Sequence, residues 1–65
     1  MEFPERLKEL RFEKRLTQKQ LAEAFSVDQT SIANWENGAN ETDFKTLVKL
    51  ADFFGVTTDY LLGRE

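Results

Sequence analysis

Apolar side chains recur along this chain every three or four positions, and no stretch alternates singly in the manner of a half-buried strand. Leu7 and Leu10 stand at helical spacing, with Phe3 before them and Leu16 after, and Pro4 suits a first helical turn. A first helix is therefore predicted from about Pro4 to Lys14. Thr17 opens "TQKQ", a capping box in which Gln20 reaches back to the cap. A second helix then runs from Gln18 to about Phe25, burying Leu21, Ala22 and Phe25. Ser26 falls where the chain must turn, Asp28 reads as the next N-cap, and a third helix runs to about Glu36. "ENG" stops it, because Gly38 is free to turn left-handed. After the loop "ANE", Thr42 or Asp43 caps a fourth helix whose inner face reads Phe44, Leu47, Val48, Leu50, Ala51 and Phe54, ending at Gly55. Thr57 or Thr58 starts a short fifth helix through Tyr60, Leu61 and Leu62, closed by Gly63.

The fold class predicted is all-α: one compact five-helix domain over residues 1–65, with no repeat, low-complexity tract or linker. A chain this short buries only about 60% of its unfolded surface, so its margin of stability is thin. It has neither Cys nor His. That excludes disulfides, thiol chemistry, the usual zinc sites and imidazole bases, and it suits a reducing compartment. No Ser-His-Asp set is possible and no phosphate-cradling glycine loop is present, so no enzyme, cofactor or metal is expected. Asp28 and its acidic neighbours read as caps and surface groups. No apolar run approaches the ~18 residues of a membrane span.

Net charge is −3, a mild argument against a nucleic-acid partner. Its distribution matters more. Residues 1–20 carry six basic and four acidic side chains, whereas residues 21–65 carry three basic and eight acidic. One end of the molecule can still face an anion.

Helices two and three are joined by "SVD", the outline of a helix-turn-helix over about residues 17–36. Ala22 is small where the two helices cross, and Val27 anchors the turn. At about 100° per residue, Gln29, Thr30, Ala33 and Asn34 fall within one arc of roughly 140°. Ile32 and Trp35 lie opposite, with Ser31 beside them, so Trp35 reads as core rather than a base-stacking residue. A front of short polar side chains suits the major groove, which admits a helix. Gln29 and Asn34 can donate and accept together at an adenine edge, and the methyl groups of Thr30 and Ala33 can meet a thymine methyl. Gln18 and Lys19 stand at a helix N-terminus, where unpaired N–H groups attract phosphate. Asn37 and the Gly38 backbone offer a second phosphate contact beyond the third helix.

The runs "LTQKQLA", "SIANWENG" and "LADFFGVTTDYLLG", in this order and separation, resemble the DNA-binding domains of Cro/CI-like, or Xre-type, helix-turn-helix transcriptional regulators such as lambdoid phage repressors. The resemblance covers nearly the whole chain. It implies a lambda-repressor-like domain, double-stranded DNA as partner through a palindromic operator, a homodimer on DNA, repression of transcription, and a bacterial or phage-encoded protein of the cytoplasm. By resemblance, Gln29, Thr30 and Asn34 read bases with Ala33 between them. Gln18 and Asn37 contact phosphate, and Ser31, turned further inward, reaches the backbone. Arg11 and Glu36 match a structural ion pair between the first and third helices.

The chain departs from the pattern after "WENG", where such proteins usually carry Lys or Arg and then Pro. Here "ANETD" places Glu41 and Asp43, which would repel phosphate and hold affinity down. Arg15 stands where Gly is usual, at a cost of roughly 1 kcal/mol or more for a left-handed side chain. Phe53 and Tyr60 form a candidate dimer patch or else close the small core. The acidic loop and net charge leave an alternative open: a protein–protein interaction module on the same scaffold, with DNA binding weak or lost.

Overall fold

The computed structural model describes residues 2–64, which form α1 (Glu2–Glu13), α2 (Gln18–Phe25), α3 (Gln29–Asn37), α4 (Phe44–Phe54) and α5 (Thr58–Leu62). Met1 and Glu65, the ends of the predicted domain, lie outside the described residues. Among the described residues there is no strand, and no helix is long and apolar enough to cross a membrane.

Local chemistry sets most boundaries. The Thr17 side chain accepts from the Gln20 N–H at 3.0 Å, and the Gln20 side chain accepts from the Thr17 N–H at 2.8 Å, so the capping box is complete. Asp43, not Thr42, caps α4 by accepting from the Thr46 N–H at 2.9 Å. Thr57, not Thr58, caps α5 through the Tyr60 N–H at 2.9 Å. Asp28 occupies the N-cap position of α3 in extended backbone, but its side chain makes no capping hydrogen bond. That corrects the expectation of a side-chain cap there. α1 begins two residues before Pro4. Proline is still accommodated, because N–H groups of the first turn have no intrahelical acceptor to lose.

Each helix contributes one fully buried branched side chain to a common centre: Leu7, Leu21, Ile32, Leu50 and Leu61. Phe3, Leu10, Trp35 and Phe54 close around them, with Ala22 and Ala51 buried in the same core. α3 packs on both α1 and α2, and α5 bridges α1 and α4. Arg6 secures that bridge, donating from Nη1 to the Tyr60 carbonyl at 3.0 Å while its guanidinium lies 4.3 Å from the Tyr60 ring centre.

The inner face of α4 is narrower than its apolar pattern predicts. Phe44 is 88% exposed and Val48 49% exposed. Seen down the helix they lie about 60° and 100° round from Leu47. Ala51, which is buried with Leu50 and Phe54, lies only about 20° from Phe44, so Phe44 is left out by its place at the first position of α4, whereas Val48 falls at the far edge of the arc. Arg15 and Ser26 adopt left-handed backbone, with φ of 58° and 56°. Both turns are held by the carbonyls that such endings expose: Leu16 N–H donates to Arg11 O at 3.1 Å, and Val27 N–H to Ala22 O at 3.0 Å.

Candidate nucleic-acid interface

The helix-turn-helix is assembled by hydrogen bonds that begin in α1. Arg11, in the last turn of α1, is 7% exposed, and Glu36, in the last turn of α3, is 5% exposed. Arg11 Nε donates to Glu36 Oε2 at 2.6 Å and Arg11 Nη2 donates to Glu36 Oε1 at 3.0 Å. Two parallel bonds of this kind fix orientation as well as distance. Arg11 Nη1 donates to the Leu16 carbonyl at 2.8 Å, inside the turn that leads to α2. Gln18, the first residue of α2, donates from Nε2 to Glu36 Oε1 at 3.1 Å. One carboxylate thus joins α1, the start of α2 and α3, so the tilt of α3 is set by geometry as well as apolar contact.

The family resemblance paired Arg11 with Glu36, but the sequence pointed to neither the Leu16 carbonyl nor the Gln18 bond. The helical phase of Glu36, beside the inner arc of α3 next to Ile32, carried a signal that its carboxylate must find buried donors. The consequence for Gln18 is specific. One amide hydrogen faces Glu36, and its second hydrogen and its carbonyl have no partner among the described residues.

The α3 front emerges from the same packing. Ile32 and Trp35 are buried on the back, Gln29 and Thr30 are exposed, and Ala33 and Asn34 are half-buried. Ser31 is half-buried, in keeping with its inward phase. Lys19 is exposed in the first turn of α2, and Arg15 is exposed in the turn before it. Asn37 is exposed at the end of α3, and its Oδ1 accepts from the Ala39 N–H at 2.9 Å, a bond that does not use its amide hydrogens. Gly38 caps α3 at φ 81°, a conformation that a side chain would strain.

The acidic loop has a structural reason. Asp43 is consumed in capping α4, and Thr46, through its side chain first and its N–H second, holds the Asp43 carboxyl below its ordinary value. It is therefore charged near neutral pH and occupies the N-terminus of α4, an end that could otherwise receive an anion. Glu41 is exposed beside it. Phe53 packs edge-on against Phe25 and Phe54, with ring centres 5.4 and 5.0 Å apart, whereas the Tyr60 ring lies under Arg6. These two aromatics thus have different neighbours.

The model of the helix-turn-helix family matches residues 7–61. Over its full 65 residues the chain is 46% identical to the HTH-type transcriptional activator BcrR of Enterococcus faecalis, covering 32% of that protein. It is 38% identical over 65 residues to the HTH-type transcriptional regulator ImmR of Bacillus subtilis, covering 51% of it. It is 40% identical over 60 residues, 92% of this chain, to the SPbeta prophage-derived uncharacterized HTH-type transcriptional regulator YonR of Bacillus subtilis, covering 56% of it. The chain spans between about a third and about half the length of these relatives. With the helix pair, its buried clamp and these likenesses together, the chain belongs to the Xre/Cro–CI-type helix-turn-helix transcriptional regulators.

Proposed function

We propose that this domain binds double-stranded DNA in a sequence-specific manner by laying α3 in the major groove, and so regulates transcription. One observation carries the reading. The back of α3 is locked by Ile32, Trp35 and the Arg11–Glu36 pair, while Gln29 and Thr30 stand clear of the protein. A rigid helix with short polar side chains facing out is what base-edge reading requires. Gln29, Thr30, Ala33 and Asn34 read bases in this arrangement. Gln18, Lys19, Ser31 and Asn37 contact the phosphates on either side and fix register. The domain occludes the site it occupies, so repression is the default outcome when that site overlaps a promoter. The acidic α3–α4 loop holds affinity down, and a palindromic operator that seats two copies offsets this.

Selection from a random duplex library, repeated at two salt concentrations, tests the proposal. The expected winner is a short inverted repeat whose binding weakens steeply with salt. Recovery of unenriched sequence at both salts would refute base reading by α3.

A second reading has its own observation. Glu41 and Asp43 place two carboxylates in the loop between α3 and α4, on a chain of net charge −3. A protein partner with basic side chains would meet the same front, with DNA binding lost. That version predicts no duplex binding even at low salt, where phosphate contacts are strongest.

A further inference from the structure

Phe12, in the last turn of α1, is 60% exposed and stands outside the core cluster. Among the described residues no other aromatic ring packs on it. What its ring does meet is the Arg11 guanidinium, whose central carbon lies 4.7 Å from the ring centre. Successive side chains on a helix point about 100° apart and do not ordinarily face each other. These two meet because the Arg11 side chain is long enough to bring its guanidinium round to the ring.

The edge and the face of that guanidinium are closed by different means. The edge is spent on oxygen: Nε and Nη2 donate to Glu36, and Nη1 donates to the Leu16 carbonyl. The flat faces carry no donor, and an aromatic ring is a fitting partner for one of them. Phe12 supplies that ring. Arg11 and Glu36 are buried while the ring against them is exposed, so Phe12 forms the outermost layer on its side of the pair.

The place of the pair decides what the cover does. Leu16, held by Arg11, directly precedes Thr17, Gln18 and Lys19, the end of α2 that the function proposed above sets against phosphate. A phosphate group binds a guanidinium with the same two-point geometry as a carboxylate. If Arg11 left Glu36 for a phosphate, the bonds that fix the tilt of α3 would open. The new contact would form on any sequence, because phosphates carry no base identity. A ring on the guanidinium face hinders the approach of both water and such an anion.

We propose that Phe12 is a positioning residue: its ring covers the Arg11 guanidinium, keeps it committed to Glu36 and so holds α3 at the tilt that reads bases. Only the last step rests on the function proposed above. In the first arm, without DNA, exchange of the Arg11 Nε hydrogen with water is followed by NMR beside the amide hydrogens of Leu7 and Leu50. Phe12→Ala is expected to speed the Arg11 exchange about two- to fivefold more than that of the two amides. Phe12→Tyr, which keeps a ring face, is expected to match the parent, and Phe12→Leu, apolar without a ring face, to resemble Phe12→Ala. Unchanged Arg11 exchange in Phe12→Ala would overturn the cover. Equal acceleration of all three hydrogens would make Phe12 a support of the whole fold and overturn it too, as would full protection by Phe12→Leu. Phe12 is exposed, and a thermal melt establishes that each variant is folded.

In the second arm, affinity is measured for the selected duplex and for an unrelated duplex at two salt concentrations. Phe12→Ala is expected to narrow the preference for the selected duplex about threefold, and to raise the salt slope on the unrelated duplex by about one unit as Arg11 reaches phosphate. Phe12→Tyr is expected to restore both. Equal loss of affinity on both duplexes would make Phe12 itself a DNA contact, and unchanged preference would leave α3 indifferent to the cover; either overturns the positioning role. If the unaltered chain prefers no duplex, the DNA reading fails, and the exchange measurement alone decides whether Phe12 holds Arg11 to Glu36.

Discussion

Arg11→Met removes a buried cation while keeping most of the volume of its aliphatic stem. Glu36, 5% exposed, accepts from Arg11 Nε at 2.6 Å, from Arg11 Nη2 at 3.0 Å and from Gln18 Nε2 at 3.1 Å. After the substitution only the Gln18 bond remains. Breaking a buried pair from one side costs about 3–5 kcal/mol, because a charge stays behind uncompensated. The Leu16 carbonyl also loses its donor, for about another 1 kcal/mol. A domain of 65 residues has a total stability of about 3–10 kcal/mol, from about 0.05–0.15 kcal/mol per residue. The variant is therefore expected to be largely unfolded or barely folded at room temperature. Arg11→Met combined with Glu36→Leu removes both charges, and is expected to return to within about 1–2 kcal/mol of the parent. Urea titration followed by far-UV circular dichroism and by fluorescence of Trp35, the single tryptophan, measures both. A single-variant cost below about 1 kcal/mol would mean that the pair behaves as a surface pair, and would refute the desolvation argument. A double variant as unstable as the single one would move the cause from orphaned charge to lost packing.

Gln29→Ala is expected to cost about 1–3 kcal/mol on the preferred site and to relax specificity at one base pair. Unchanged site preference in a repeated selection would remove Gln29 from the reading set. Lys19→Ala is expected to weaken binding evenly across sequences and to reduce the salt slope by about one unit, read by fluorescence anisotropy. Arg15→Gly relieves a left-handed side chain at φ 58°. That release is worth about 1 kcal/mol, which for a domain of this size raises Tm by about 4–8 °C, and a lowered Tm would refute it. Asp43→Ala tests the cap at α4 through pH. The Asp43 carboxyl is held below its ordinary value by Thr46. Its contribution is therefore complete above the unfolded value of about 3.9 and is lost as pH falls through the lower folded value. The Tm gap between parent and variant should be constant near neutral pH and close in acid, and a gap that persists undiminished into strong acid would refute the assignment.

The order of helices, their stops and the division of α3 into back and front were readable from the chain, because each depends on neighbours within a turn or two. Capping at Thr17, the left-handed ends at Gly38 and Gly55, and the phase that separates Gln29 and Thr30 from Ile32 and Trp35 are local matters of hydrogen bonding and helical period. Pairing across the chain was not local. That Gln18 donates to Glu36, and that Arg11 also holds the Leu16 carbonyl, follows only when three helices converge on one carboxylate. The apolar pattern of α4 placed Phe44 and Val48 inside, and the fold leaves them out, since a stripe records which residues can be buried but not how much of it another helix covers. Hydrophobic burial carries no direction of its own. How far the cover extends around and along α4, and with it the bare groove beside Phe44, was decided by where α1 and α5 come to rest.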